Sequence, residues 1–91
     1  MEMIDLFYVY ILECNDKTLY TGYTNSLETR LKKHNLGLAS KYTRGRIPVK
    51  FVYTENFSCK SAAMKREIEI KSLTRNKKLK LIRENRDELI I

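Results

Sequence analysis

Few side chains in this 91-residue sequence suit catalysis, and most of those suit a phosphate. Glu67 is the first. At 100° per residue it falls between Ala63 and Met64 around a helix, close to Ile70, within the apolar arc that must face the rest of the fold. A carboxylate there is costly unless it is paired, protonated or bound to a metal, and an ion pair with Lys71, four residues on, is the competing explanation. Arg30 and His34 stand i,i+4 on one flank of a stripe made by Leu27 and Leu31. A guanidinium placed so can hold a phosphate and the charge that develops on it during reaction. The same spacing also fits a solvent-facing arginine and a histidine favoured by the helix C-terminal dipole.

Tyr8, Tyr10, Tyr20 and Tyr23 crowd a short stretch, with Tyr42 and Tyr53 further on. Tyrosines in strands are ordinarily core residues with one wet end. A phenol serves as a general base only where a cation beside it stabilises the phenolate, and spacing alone singles out none of the six. Lys41-Tyr42-Thr43-Arg44-Gly45-Arg46 interleaves an aromatic with cations, as loops that touch nucleic acid do, although a solvated charged loop has the same composition.

These groups need elements to position them. Phe7 to Leu12 is apolar on both alternating sets and predicts a strand covered on both faces, central in its sheet. Turn chemistry at Cys14 to Lys17 leads into a second strand, Thr18 to Thr24, making a hairpin. Tyr10 and Tyr20 can serve one site only if they face the same way, which requires a connection of odd length or a bulge rather than a two-residue Asn15-Asp16 turn. Asn25 as N-cap with Glu28 predicts a helix that stops at Gly37. Leu38 to Pro48 has neither periodicity and reads as a basic loop. A third strand follows over Val49 to Tyr53, with Val49, Phe51 and Tyr53 on one face. Ser58 opens a helix through Ala62, Ala63, Met64, Ile68, Ile70 and Leu73, and a short third helix covers Lys77 to Asn85. The expected fold is a small α/β (α+β) domain over residues 1–91 with its core at about 7–82. It has a three-stranded sheet flanked by helices in the order β-β-α-β-α-α.

Composition narrows the class. Apolar residues make up 43%, enough for one core and too many for a disordered chain. Two cysteines, Cys14 and Cys59, suggest neither a disulfide framework nor a zinc site. The acidic start Met1 to Asp5 does not read as a secretory signal, and the longest apolar run, Leu6 to Leu12, is far short of the roughly 20 residues of a membrane helix. A soluble, cytoplasmic protein without a membrane partner is expected. The net charge of +7 is uneven, with Arg30 to Lys50 and Lys71 to Arg83 rich in cations and free of acids. Such a field attracts polyanions, with a solvated basic surface as the alternative.

Taken together these positions resemble the GIY-YIG nuclease superfamily, in particular its small bacterial single-domain UPF0213 proteins. Tyr8-Val9-Tyr10 stands for the first signature tripeptide and Tyr20-Thr21-Gly22 for the second, about ten residues on. Leu27-x-x-Arg30-x-x-x-His34, Lys41 to Gly45, and Ala63 to Glu67 followed by Ile70-Lys71 complete the pattern. The glycine and isoleucine of the first tripeptide are here Tyr8 and Val9, and the central isoleucine of the second is Thr21. The resemblance implies that Glu67 holds one divalent cation, magnesium or manganese, and that Arg30 binds the scissile phosphate. It further implies that Tyr10 activates or positions the attacking water, that Tyr20 supports it, and that His34 is a second base or phosphate ligand. Gly22 would let the backbone approach the site. Nucleic acid, DNA ahead of RNA, would meet Gly22, Lys33, Lys41, Tyr42, Arg44, Arg46 and Lys71. The expected activity is metal-dependent phosphodiester hydrolysis by a monomer, with a dimer as the alternative state. The other readings are a non-catalytic nucleic-acid-binding module and a protein adaptor using Lys71 to Arg86.

Overall fold

The computed structural model describes residues 6–85; the acidic start Met1 to Asp5 and Arg86 lie outside them. Strands β1 (Phe7–Glu13), β2 (Leu19–Thr24) and β3 (Lys50–Phe57) pair antiparallel in the order β2-β1-β3. The helices are α1 (Leu27–Asn35), α2 (Lys41–Arg44), α3 (Lys60–Lys71) and α4 (Arg75–Glu84). The expected α+β sheet with flanking helices is present, with one short helix more than the sequence suggested.

The central strand β1 is apolar on both sides because both faces of the sheet are covered. Val9 and Ile11 pack with Tyr53, Ala63 and Ile70 under α3 and α4. Tyr10 and Leu12 pack with Cys14 and Val49 on the other face, against Leu27 and Leu31 of α1. The hairpin closes with Glu13 opposite Leu19, so the connection is the five residues 14–18 and is odd. Tyr10 lies opposite Gly22 and Leu12 opposite Tyr20, which puts Tyr10, Tyr20 and Gly22 on one face, since side chains alternate along each strand. Lys17 makes the turn with φ of 71°.

Several local expectations change, among them the third strand, which runs on to Phe57 rather than ending at Tyr53, and the helix expected to open at Ser58, whose N-cap is Cys59. The first helix is capped by Ser26, whose hydroxyl accepts from the Thr29 amide, and not by Asn25. The basic loop contains α2, capped by the Ser40 hydroxyl accepting from the Tyr42 amide; at four residues it is too short to carry a periodic signal. In β3 a bulge falls between the pairs Ile11–Tyr53 and Leu12–Phe51. The extra residue, Val52, reverses the alternation, so Phe51 faces α1 while Tyr53 joins the core under α3. On α3, Ala63 and Ile70 are buried but Met64 and Ile68 are exposed, so the buried stripe is narrower than predicted. Asn35 at the end of α1 grips the start of β3, its side-chain amide donating to the Val49 carbonyl and accepting from the Val49 amide.

Candidate active site

Both layers contribute to one cleft of about 320 Å³. Tyr10, Tyr20 and Gly22 come from the sheet face under α1, and Arg30 from α1 itself; Glu67 and Lys60 come from α3 on the opposite face, and Tyr23 from that side of β2. A cleft can draw on both faces only at a sheet edge, and β2 is an edge strand.

Glu67 owes its position to helical spacing. It lies one turn from both Ala63 and Ile70, each fully buried, and its side chain is 16% exposed. Its carboxylate is 3.4 Å from the Lys71 ammonium, so the ion pair foreseen as the alternative forms while the group still lines the cleft. Arg30 also lines the cleft, and no carboxylate among the described residues lies within ion-pair distance of it.

His34 is not on the helix flank. It continues the stripe of Leu27 and Leu31, is 1% exposed, and sits behind the cleft rather than in it. Its Nε2 is 2.9 Å from the Tyr10 hydroxyl and its Nδ1 is 2.9 Å from Thr43 Oγ1. Thr43 Oγ1 in turn donates to the Ser40 carbonyl at 3.4 Å. With the threonine proton committed there, Thr43 accepts from Nδ1–H, and Nε2 is left to accept from Tyr10. Burial, and then the charge of Arg30, hold His34 below the ordinary imidazole value of 6.5. A buried neutral imidazole is the result, which removes the reading of a cation favoured by the helix dipole.

Tyr10 is 2% exposed. Burial above all, then the neighbouring Tyr20, push its phenol well above its ordinary value; Arg30 opposes this and Glu67 adds to it. Gly22 is explained by the same ring. A Cβ there would lie 2.5 Å from the Tyr10 hydroxyl and 2.6 Å from Cζ, so the close approach this glycine permits is that of Tyr10. Tyr20 packs edge-on to His34 and stacks on Tyr42 with ring centres 5.7 Å apart, and the Arg46 guanidinium lies 4.3 Å from the Tyr42 ring centre.

Tyr10, Tyr20, Gly22, Arg30 and Glu67 are thus brought together, with His34 one hydrogen bond behind. The other basic residues expected to meet nucleic acid are not in the cleft. Lys33 and Lys41 are exposed on α1 and α2, Arg44 packs by Gly37, Arg46 pairs with Asp16, and Lys71 with Glu67. Two residues escaped the sequence reading, Lys60 in the cleft wall and Thr43 behind His34. The only signal for Thr43 was its place inside the Lys41 to Gly45 pattern. Among the described residues no three His, Cys, Asp or Glu side chains cluster as a metal cage. No helix there is long and apolar enough to cross a membrane.

Residues 6–80 match the GIY-YIG catalytic domain. The chain belongs to that family of nuclease-type domains. Several of its relatives carry the UPF0213 designation. A UPF0213 protein of Haloquadratum walsbyi is 55% identical over 85 residues, covering 93% of this chain and 96% of its own. One of Clostridium perfringens is 63% identical over 75 residues, 82% of this chain and 81% of its own. The solution NMR structure of a UPF0213 protein from Bacillus halodurans, 48% identical, matches 89% of this chain and 86% of its own with a TM-score of 0.60. That of a protein from E. faecalis, 41% identical, matches 92% and 90% with a TM-score of 0.61.

Proposed function

We propose that this protein is a divalent-metal-dependent nuclease that hydrolyses phosphodiester bonds, in DNA ahead of RNA, during repair or other nucleic-acid processing. One observation carries the reading: a carboxylate and a guanidinium face a single cleft whose tyrosine is wired to a buried neutral histidine. A lone carboxylate fits magnesium or manganese, because magnesium keeps several waters and binds through one or two carboxylates plus substrate phosphate oxygens. Glu67 would hold the ion, which when bound supplies charge neutralisation at the leaving oxygen.

The chain's own groups do the rest. Arg30 grips the scissile phosphate with paired N–H donors and meets the charge growing on its oxygens. Tyr10 is favoured in its protonated form by burial. It accepts the proton of the attacking water as it passes its own to His34 Nε2, while Thr43 keeps the Nδ1–H side of the ring fixed. The water oxygen forms the new bond to phosphorus, the bond to the leaving alkoxide breaks, and that alkoxide takes a proton from solvent. Tyr20 packs against the rings of Tyr10 and His34 and keeps both oriented.

A second reading, a nucleic-acid-binding module without turnover, draws on the Lys71–Glu67 ion pair, which competes for the metal ligand. The two separate when the purified protein is given labelled branched, single-stranded and duplex substrates with magnesium or manganese, beside Glu67→Ala, Arg30→Ala and Tyr10→Phe. Metal-dependent cleavage reduced by about 10²-fold or more in each variant is expected. Cleavage equal in all three sinks the assignment. Salt-sensitive binding by a wild type that never cleaves selects the module.

A further inference from the structure

A second cleft, of about 280 Å³, opens beside the first, lined by Thr18 of the hairpin connection, Leu19 at the start of β2, Tyr42 of α2, and Arg75 and Lys78 in the first turn of α4. The two clefts share a wall, since Tyr20 in the first stacks on Tyr42 in the second. Arg75 is anchored by a 3.0 Å hydrogen bond to the Lys17 carbonyl, which fixes the guanidinium and leaves its other N–H groups unused among the described residues. Lys78 is partly buried, and no carboxylate among the described residues lies within ion-pair distance of Lys78 or Arg75.

This charge arrangement is unfavourable for the protein by itself. Arg75, Lys77 and Lys78 occupy the first turn of α4 with no acid there, at the helix end whose dipole disfavours cations. Burial, and then Lys71, already push the Lys78 ammonium below its ordinary value. An anion seated between Arg75 and Lys78 would relieve both penalties. On the nuclease reading a phosphodiester occupies the neighbouring cleft, and a strand crossing the Tyr20–Tyr42 wall would bring another of its phosphates here.

We propose that Arg75 and Lys78 form a second phosphate subsite, which holds a backbone phosphate of the nucleic-acid strand flanking the one at Arg30. The subsite rests on the nuclease reading for the identity of its ligand, but it is a binding site and does not need turnover. It sets the strand's direction, from the Arg30–Glu67 cleft across the edge of β2 towards α4. Neither Arg75 nor Lys78 touches the cleft where Tyr10 and Glu67 meet.

The test measures binding of a fluorescently labelled single-stranded oligonucleotide by anisotropy without metal, between about 50 and 200 mM salt. Wild type is compared with Arg75→Ala/Lys78→Ala and with Lys32→Ala, which removes an exposed cation paired with Glu28. The double variant should bind several-fold more weakly, with a slope of log affinity against log salt shallower by about one unit, and Lys32→Ala should match wild type. Thermal unfolding of the double variant at or above the wild-type temperature excludes misfolding as the cause. An unchanged slope and affinity overturn the subsite, as does a double variant that keeps oligonucleotide binding but loses binding of poly-glutamate. The two proposals fail separately. A wild type that never cleaves, with the slope change present, ends catalysis and keeps the subsite; cleavage that depends on Glu67, with no slope change, does the reverse.

Discussion

Thr43 shows how a small residue can control a larger one. Its hydroxyl fixes which nitrogen of His34 carries the proton, and so whether Tyr10 finds an acceptor. Thr43→Val keeps the shape and removes the hydroxyl, leaving Nδ1–H buried without a partner at a cost of about 1–3 kcal/mol. Turnover should fall roughly ten- to a hundredfold with KM little changed, as when the orienting partner of a functional histidine is removed. Thr43→Ser should restore most of it. An unchanged kcat in Thr43→Val would remove threonine from the relay. The same histidine gives stability a pH dependence of defined sign. Its folded pKa lies below the unfolded value near 6.5, so the folded state binds fewer protons through that region. Its contribution is therefore complete above pH 6.5 and is lost as pH falls through the depressed folded value. Denaturant midpoints measured from neutral to acid pH should decline through this window in wild type and less steeply in His34→Gln.

At the scale of elements, the sequence was most legible where one period dominated. The doubly apolar run of β1 announced a covered central strand, and the need for Tyr10 and Tyr20 to share a face correctly required an odd connection. What escaped it were features shorter than a period or created by pairing. The bulge at Val52 depends on how β3 meets β1, so the alternation of Val49, Phe51 and Tyr53 could not reveal that Tyr53 faces the other way. Helix α2 has four residues, and His34 reads as a flank or stripe residue according to one turn of helix phase. The hairpin loop carries a testable strain. Lys17 sits at φ of 71°, a region that costs a non-glycine L-residue roughly 1–2 kcal/mol, partly offset by glycine's larger entropy loss. Lys17→Gly should keep the Tyr10–Gly22 register and stabilise the fold by about 0.5–1 kcal/mol in chemical denaturation. Its exposed ion pair with Glu13 is worth little against that. Destabilisation instead would show that the turn is held by its side chain.

For the whole molecule, the arrangement of charge matters more than its total. Acidic partners are found for Lys17, Lys32, Arg46, Lys50, Arg66, Lys71 and Lys80, whereas Arg30, Lys60, Arg75 and Lys78 line the two clefts without a carboxylate within ion-pair distance among the described residues. The excess of cations that gives a net charge of +7 thus includes those at the edge of β2, where an anion is expected. Like charges concentrated so raise the free energy of the folded state, and added ions screen them over about 10 Å at 0.1 M salt. Raising salt from about 0.02 to 0.2 M should therefore raise Tm, and relief of about 1 kcal/mol corresponds to roughly 4–8 °C for a domain of this size. A short oligonucleotide at low salt should produce a larger rise, because it binds the folded state and one strand can place phosphates in both clefts. Its effect should shrink as salt increases. If the oligonucleotide raised Tm no more than an equal concentration of free phosphate, the clefts would be responding to charge alone, and a strand running between them would be refuted.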